Sequence, residues 1–89
     1  MKIITSNQFI KDLKLIKKRG YDLNELSVVV ELIKNNTELP KKYKNHILQG
    51  KFNKFYECHI KPDWLLIYKM DLENLIYLIR TGTHSDLFE

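Results

Sequence analysis

The sequence predicts an α+β fold: an N-terminal short strand and a helical hairpin packed on one face of a small twisted antiparallel sheet. Three observations carry that expectation. Apolar residues recur at helical spacing between residues 6 and 35, with Gly20 dividing them. From about residue 51 the apolar period changes to two. Turn-forming residues then cut this second half into three runs, at Lys61-Pro62-Asp63 and at Asp71 to Asn74. With 89 residues the chain has material for one domain, 1–89, and no more.

Each element follows in order. Lys2 to Thr5 is a short β-prone start, and Ser6 offers a helix N-cap. Phe9, Leu13 and Ile16 form the apolar stripe of a first helix, and Gly20 stands where that helix would end. Asp22 and Glu25 resemble a capping box for a second helix. Its stripe is Leu26, Val29, Val30 and Ile33, closed by Asn35-Asn36 and Pro40. In the sheet half, Phe55, Glu57 and His59 share one strand face and Tyr56, Cys58 and Ile60 the other. Trp64 to Met70 is the next strand. Leu75 to Thr81 is the last, apolar on both faces and therefore expected at the centre of the sheet. The tail THSDLFE follows Gly82. The sheet face away from the helices is expected to be free for function.

Composition narrows the class. Hydrophobic residues are 44% of the chain and aromatics 11%, which suits a packed core and argues against disorder. A single cysteine, Cys58, excludes an internal disulfide and fits a reducing cytoplasm. The opening MKIITSNQF lacks the apolar run of a signal peptide, and no stretch approaches a membrane span. The net charge is +4. Its placement matters more than its sum. No acidic residue lies between Glu38 and Glu57, an interval that holds Lys41, Lys42, Lys44, Lys51 and Lys54. Lys11, Lys14, Lys17, Lys18 and Arg19 form a second cluster, opposed by Asp12. Both would attract a polyanion.

The polar groups with chemical potential are His46, His59, His84, Asp63 and Arg80. A strand pair turning at Lys61-Pro62-Asp63 puts His59, Asp63 and Trp64 at one end of the sheet. The third strand, antiparallel to the second, returns Arg80 and His84 to that same end. His46 lies in the loop before the meander. Glu57, Cys58, His59 and Asp63 are all metal-ligand types, but alternation sends Cys58 to the opposite face, and no CxxC or HExxH spacing occurs. No metal and no cofactor is expected, and Cys58 reads as a small core residue.

Two histidines, a carboxylate and an arginine suit metal-independent RNA cleavage. A base removes the 2′-OH proton, an acid protonates the leaving 5′-oxygen, and a cation steadies the phosphorane. Trp64 and Phe88 are candidates to stack on bases. Trp64 also reads as a core residue opening a strand, and Arg80 as a structural bridge to Asp63 or Asp86.

The segments NHILQGKF, YECHIKPDWLLIY and RTGTHSDLF resemble the YafQ branch of the RelE/ParE toxin superfamily. Its H-x-L-x-G, H-x-x-P-D-W and G-T-H-x-x-L-F elements occur here together and in that order. The resemblance covers nearly the whole chain and implies a RelE-like fold. It implies the toxin of a type II toxin–antitoxin pair, a ribosome-dependent endoribonuclease that cuts mRNA in the ribosomal 30S A site. The family's functional positions fall on His46, His59, Asp63, Trp64, His84 and Phe88, with Arg80 suited to holding phosphate. Glu57 stands where relatives carry an acid, often aspartate. His84 and His59 are expected to move the protons and Asp63 to orient a histidine, while Lys41, Lys42 and Lys44 hold rRNA. The implied partner is a cognate antitoxin, a small dimeric DNA-binding protein. The rival readings are a ParE-like gyrase poison, which needs no catalytic histidines, and a non-catalytic nucleic-acid-binding protein.

Overall fold

A computed structural model describes residues 2–35, 37–48, 55–71 and 75–88. Asn36, Gly50 of the H-x-L-x-G element, Lys51, Lys54, the expected strand onset near residue 51 and residues 72–74 of the second turn lie outside the described residues. The elements are β1 (Lys2–Thr5), α1 (Asn7–Lys18), α2 (Leu23–Lys34), a 3-10 turn (Lys41–Tyr43), β2 (His46–Ile47), β3 (Tyr56–Lys61), β4 (Trp64–Met70), β5 (Leu75–Gly82) and α3 (His84–Phe88). The strands form one sheet in the order β1-β5-β4-β3-β2.

The helical hairpin forms for local reasons. The Ser6 hydroxyl accepts the Phe9 N–H at 2.9 Å, which caps α1. At the other end Gly20, at φ +86°, donates to Lys17, and Tyr21 donates to Ile16. This paired closure needs a left-handed residue, which glycine supplies without steric cost. Asp22 caps α2 by accepting the Asn24 N–H. The expected Glu25 half of a capping box is not formed. Glu25 instead faces Lys61 at 3.3 Å.

Alternation in β4 sorts the core. Trp64, Leu66 and Tyr68 pack with Phe9, Ile16, Leu26, Val29 and Ile33 of the helices. Leu65 and Ile67 form a smaller cluster with Leu87 of α3. The short helix α3, unforeseen in the tail, therefore covers part of the face expected to be free. Leu65, Leu66 and Ile67 are all fully buried. The middle strand is thus β4, not β5, although β5 is interior too.

The sheet is mixed rather than purely antiparallel, because β1 runs parallel to β5 from Lys2 opposite Leu75 to Thr5 opposite Leu78. After β1 the chain enters α1, re-enters the sheet at the far edge through β2, and reaches β5 last, so sequence order gave no sign of this pairing. Beyond Thr5 the β5 edge would be left bare, and side chains of α1 take it over. The Ser6 hydroxyl donates to the Ile79 carbonyl at 2.8 Å, and Asp12 accepts the Thr81 N–H at 3.1 Å. Asp12 also accepts from Arg80 Nε at 2.8 Å and from Gln8 at 3.1 Å. Thr81 passes the constraint on, since its hydroxyl donates to the Leu65 carbonyl and accepts from the Trp64 indole at 2.8 Å.

Asp12 is only 7% exposed, so its loss would strand a buried N–H and an unpaired guanidinium. Asp12→Ala is expected to cost about 2–4 kcal/mol, read as a fall in the urea midpoint. Asp12→Asn, which keeps an acceptor for Thr81, should fall between the two. A midpoint unchanged in Asp12→Ala would refute the anchoring role.

Candidate active site

The turn between β3 and β4 starts the site. Pro62 fixes its own φ near −65°, which excludes the primed two-residue turns that match strand twist. The ladder absorbs the mismatch by slipping: His59 lies opposite Leu65, but Lys61 lies opposite Trp64. Such bulges re-aim side chains. Here the His59 ring bends back so that Nδ1 meets the Pro62 carbonyl at 3.3 Å. A carbonyl only accepts, so that nitrogen carries the proton.

His46 is held the same way. It does not lie in a loop as expected, but in the two-residue strand β2, directly opposite Glu57. Its Nδ1 meets the Lys44 carbonyl at 2.7 Å. Lys44 adopts φ +48°, the one positive φ among the described non-glycine residues, and this turns its carbonyl toward the ring. Both imidazoles then point Nε2 at the same oxygen of Glu57, each at 3.4 Å. At this distance the contacts are electrostatic, and each becomes an ion pair when its ring is protonated.

His84 opens α3 and is bound to the turn. Asp63 accepts its backbone N–H at 3.0 Å and its ring Nδ1 at 2.6 Å. These bonds, backbone first and then side chain, hold the Asp63 carboxyl below its ordinary pKa. With Nδ1 committed, Nε2 of His84 is left as the basic nitrogen. The helix itself is fixed from behind. Thr83 and Asp86 exchange bonds, N–H to carboxylate at 2.9 Å and N–H to hydroxyl at 3.1 Å. Arg19 grips Asp86 with two donors, at 2.7 and 3.1 Å. That bidentate contact pushes the Asp86 carboxyl far down. Position 82 must be glycine for this closure, because an added Cβ would sit 2.9 Å from the Asp86 side chain.

The result is a row of rings. The centroids of His46 and His59 are 6.4 Å apart, those of His59 and His84 5.7 Å, and those of His84 and Phe88 6.5 Å. His46 and His84 are about half exposed at the side chain, and His59 is 15% exposed. Three imidazoles lie in reach of one solvent-facing ligand, two sharing one carboxylate and the third holding another. The arrangement is suited to proton transfer at two points of a single bound group.

Other expected site residues fall elsewhere. Trp64 is 1% exposed, with Tyr21 edge-on at 5.1 Å and its indole N–H spent on Thr81. It has no face open to a base, so the stacking expected of it is corrected to a core role. Glu57, expected among the RNA-binding residues, is 6% exposed and faces His46 and His59. Arg80 bridges to neither Asp63 nor Asp86 but to Asp12, and its side chain keeps 26% exposure. Phe88 ends the row at 45% exposure. Lys41, Lys42 and Lys44 are exposed on the segment leading into β2. Cys58 is fully buried and its thiol is pushed up to about 12 by burial, which makes it inert. Among the described residues no three His, Cys, Asp or Glu side chains converge to hold a metal ion.

Sequence reasoning missed Asp12, Arg19, Thr83 and Asp86. Asp12 breaks an apolar stripe from inside, which was a usable sign of a buried acid. Thr83 and Asp86 have the spacing of a capping box, T-x-x-D. Nothing in the sequence joined Arg19 to Asp86, 67 positions away.

Comparison with known proteins places this geometry. The mRNA interferase toxin YafQ of Escherichia coli strain K12 is 46% identical over 84 residues, covering 93% of this chain and 90% of the relative. The crystal structure of YafQ from E. coli strain BL21(DE3) superposes with a TM-score of 0.93 at 44% identity, covering 99% of this chain and 98% of that one. The toxin in the E. coli DinJ–YafQ toxin–antitoxin complex gives 0.90 at 43%, covering 99% and 97%. A helical hairpin on this sheet, with ionisable side chains gathered at one end, defines a small toxin of the RelE-like fold. The chain belongs to the YafQ family, described as bacterial toxins of type II toxin–antitoxin systems, whose model matches residues 1–89.

The depressed carboxyls set the acid behaviour. A folded-state pKa below the unfolded one adds stability above the ordinary carboxylate pKa, and that stability is lost as pH falls through the folded value. Asp86 and Asp63 both act in this sense. The thermal midpoint should therefore be flat above about pH 5 and drop below about pH 4. Asp86→Asn should lower the plateau slightly and flatten that drop. An acid limb of unaltered depth in the variant would contradict the assignment.

Proposed function

We propose that this chain is an endoribonuclease toxin that cleaves mRNA in the ribosomal A site and so halts translation, by metal-independent acid–base chemistry. The observation that carries the reading is the pair His59 and His84, 5.7 Å apart, each with Nδ1 tied to an acceptor. Nε2 is then the working nitrogen of both. That separation lets one phosphodiester touch both rings. The E. coli relative's name, mRNA interferase toxin, supports mRNA as the target.

In the proposed mechanism, His84 Nε2 takes the 2′-OH proton, and Asp63 steadies the imidazolium that results. The 2′-oxygen attacks phosphorus, the P–O5′ bond breaks, and His59 protonates the departing 5′-oxygen. The balance closes on a 2′,3′-cyclic phosphate and a free 5′-hydroxyl. Glu57, 3.4 Å from both His59 and His46, would help to return a proton to the acid between turnovers. Phe88 offers a base-stacking face beside His84. Arg80 has its charge balanced by Asp12 and offers at most its remaining guanidinium donors to phosphate, while Lys41, Lys42 and Lys44 bind rRNA phosphates. The E. coli toxin is solved in complex with DinJ. A corresponding small dimeric DNA-binding antitoxin would restrain this chain. No helix among the described residues is long and apolar enough to cross a membrane, and a ribosomal target would require the protein to act in the cytoplasm.

His84→Ala should lower mRNA cleavage about 10²- to 10⁴-fold, followed by primer extension on programmed ribosomes. Asp63→Ala should lose most cleavage as well, because the ring loses its tautomer partner. Both variants should still bind antitoxin. Full cleavage by either would sink the reading, and DNA damage without RNA cleavage would point to a gyrase poison.

A further inference from the structure

A groove of about 640 Å³ borders the histidine row, with His59 among its lining residues. Its apolar part is formed by Ile60 and Pro62 at the end of β3 and by Val28 of α2, which is 53% exposed despite its aliphatic side chain. Its cationic part is Lys42, Lys44 and Lys61, against which only Glu25 is set among the lining residues. Glu25 is already 3.3 Å from Lys61, so the rim keeps an excess of positive charge.

The groove and the row share backbone. Lys44 and Pro62 line the groove, and their carbonyls are the groups that receive Nδ1 of His46 and His59. Lys44 does this from the left-handed conformation, which a lysine rarely adopts. Such outliers persist where a site requires them. His59 belongs to both features, so a ligand seated in the groove lies beside one ring of the row.

We propose that this groove is a subsite for one unpaired nucleotide of the substrate RNA, adjacent to the scissile phosphate. Its base lies against Val28, Ile60 and Pro62, and its phosphate meets Lys44 and Lys61. An apolar patch with a cationic rim matches a flat base joined to an anion. A partner helix would need a longer stripe of apolar anchors than this patch offers. The volume lies within the range of about 300–1,000 Å³ that small-ligand sites occupy. The inference rests on the RNA-cleaving reading above.

The test is a double substitution, one on each molecule. Val28→Glu puts a carboxylate on the apolar wall at an exposed position, and Val28→Leu restores an aliphatic surface. Cleavage is measured in single turnovers on programmed ribosomes, with mRNA carrying an abasic nucleotide at each position flanking the cut. Val28→Glu should raise the half-saturating concentration about fivefold to tenfold, with the saturating rate within about twofold. Val28→Leu should behave as the unsubstituted protein. At one flanking position the abasic mRNA should weaken the unsubstituted protein but not weaken Val28→Glu further. Additive effects at every position would overturn the subsite. So would unchanged cleavage by Val28→Glu with a weakened antitoxin complex, which would make the groove a protein-binding surface. Failure of the unsubstituted protein to cut at all would overturn the underlying activity instead.

Discussion

The contact on which the rest of the molecule depends is the carboxylate of Asp12. It takes the Thr81 N–H where β1 has stopped pairing, and it holds the Arg80 guanidinium. One buried group thus fixes where α1 lies along β5. Thr81 transmits the position to Trp64 through the indole, and to β4 through the Leu65 carbonyl. Trp64 directly follows Asp63, and Thr81 lies three residues before His84. The two partners that meet at 2.6 Å above the strand ends are therefore set in register from below. A helix borrowing a sheet edge is also a means of protecting that edge from unwanted pairing.

Above this anchor, charge is divided between two carboxylates with different surroundings. Glu57 is buried and faces two imidazoles, while Asp63 is exposed and faces one. The exposed pair leaves its histidine with a free basic nitrogen. The buried group faces both rings with one oxygen, 3.4 Å from each. Division of labour between an open and a closed carboxylate is a recurrent way to separate acid from base with few residue types. The latch of Arg19 on Asp86 matters for the same reason, since it holds the five-residue helix that carries His84.

Much of this was legible in the sequence, and the exceptions share a cause. Periodicity located both helices, and β4 with its bounds of Trp64 and Met70, because burial on one face imposes a repeat. Pro62 and Asp63 marked the turn, and the antiparallel return of β5 brought His84 beside Asp63. What escaped were pairings between distant segments. The β1–β5 ladder, the Asp12–Arg80 pair and the Arg19–Asp86 pair join residues at opposite ends of the chain, where no local pattern records them. Trp64 carries two readings in the sequence, core and base-stacking, because a tryptophan suits a core and an RNA surface equally well. Its Thr81 partner, which decides the matter, lies 17 positions on. His46 was placed in a loop because a two-residue strand is too short to show a period.

The imidazoles at the strand ends are proposed to cut RNA through the ribose 2′-oxygen. Mass spectrometry of the cut mRNA ends tests this most directly. Attack by the 2′-oxygen requires a 2′,3′-cyclic phosphate, or the 3′-phosphate it opens to, on one fragment and a 5′-hydroxyl on the other. A 3′-hydroxyl with a 5′-phosphate would mean that water, and not the ribose, is the nucleophile, and would contradict the roles given to His59 and His84.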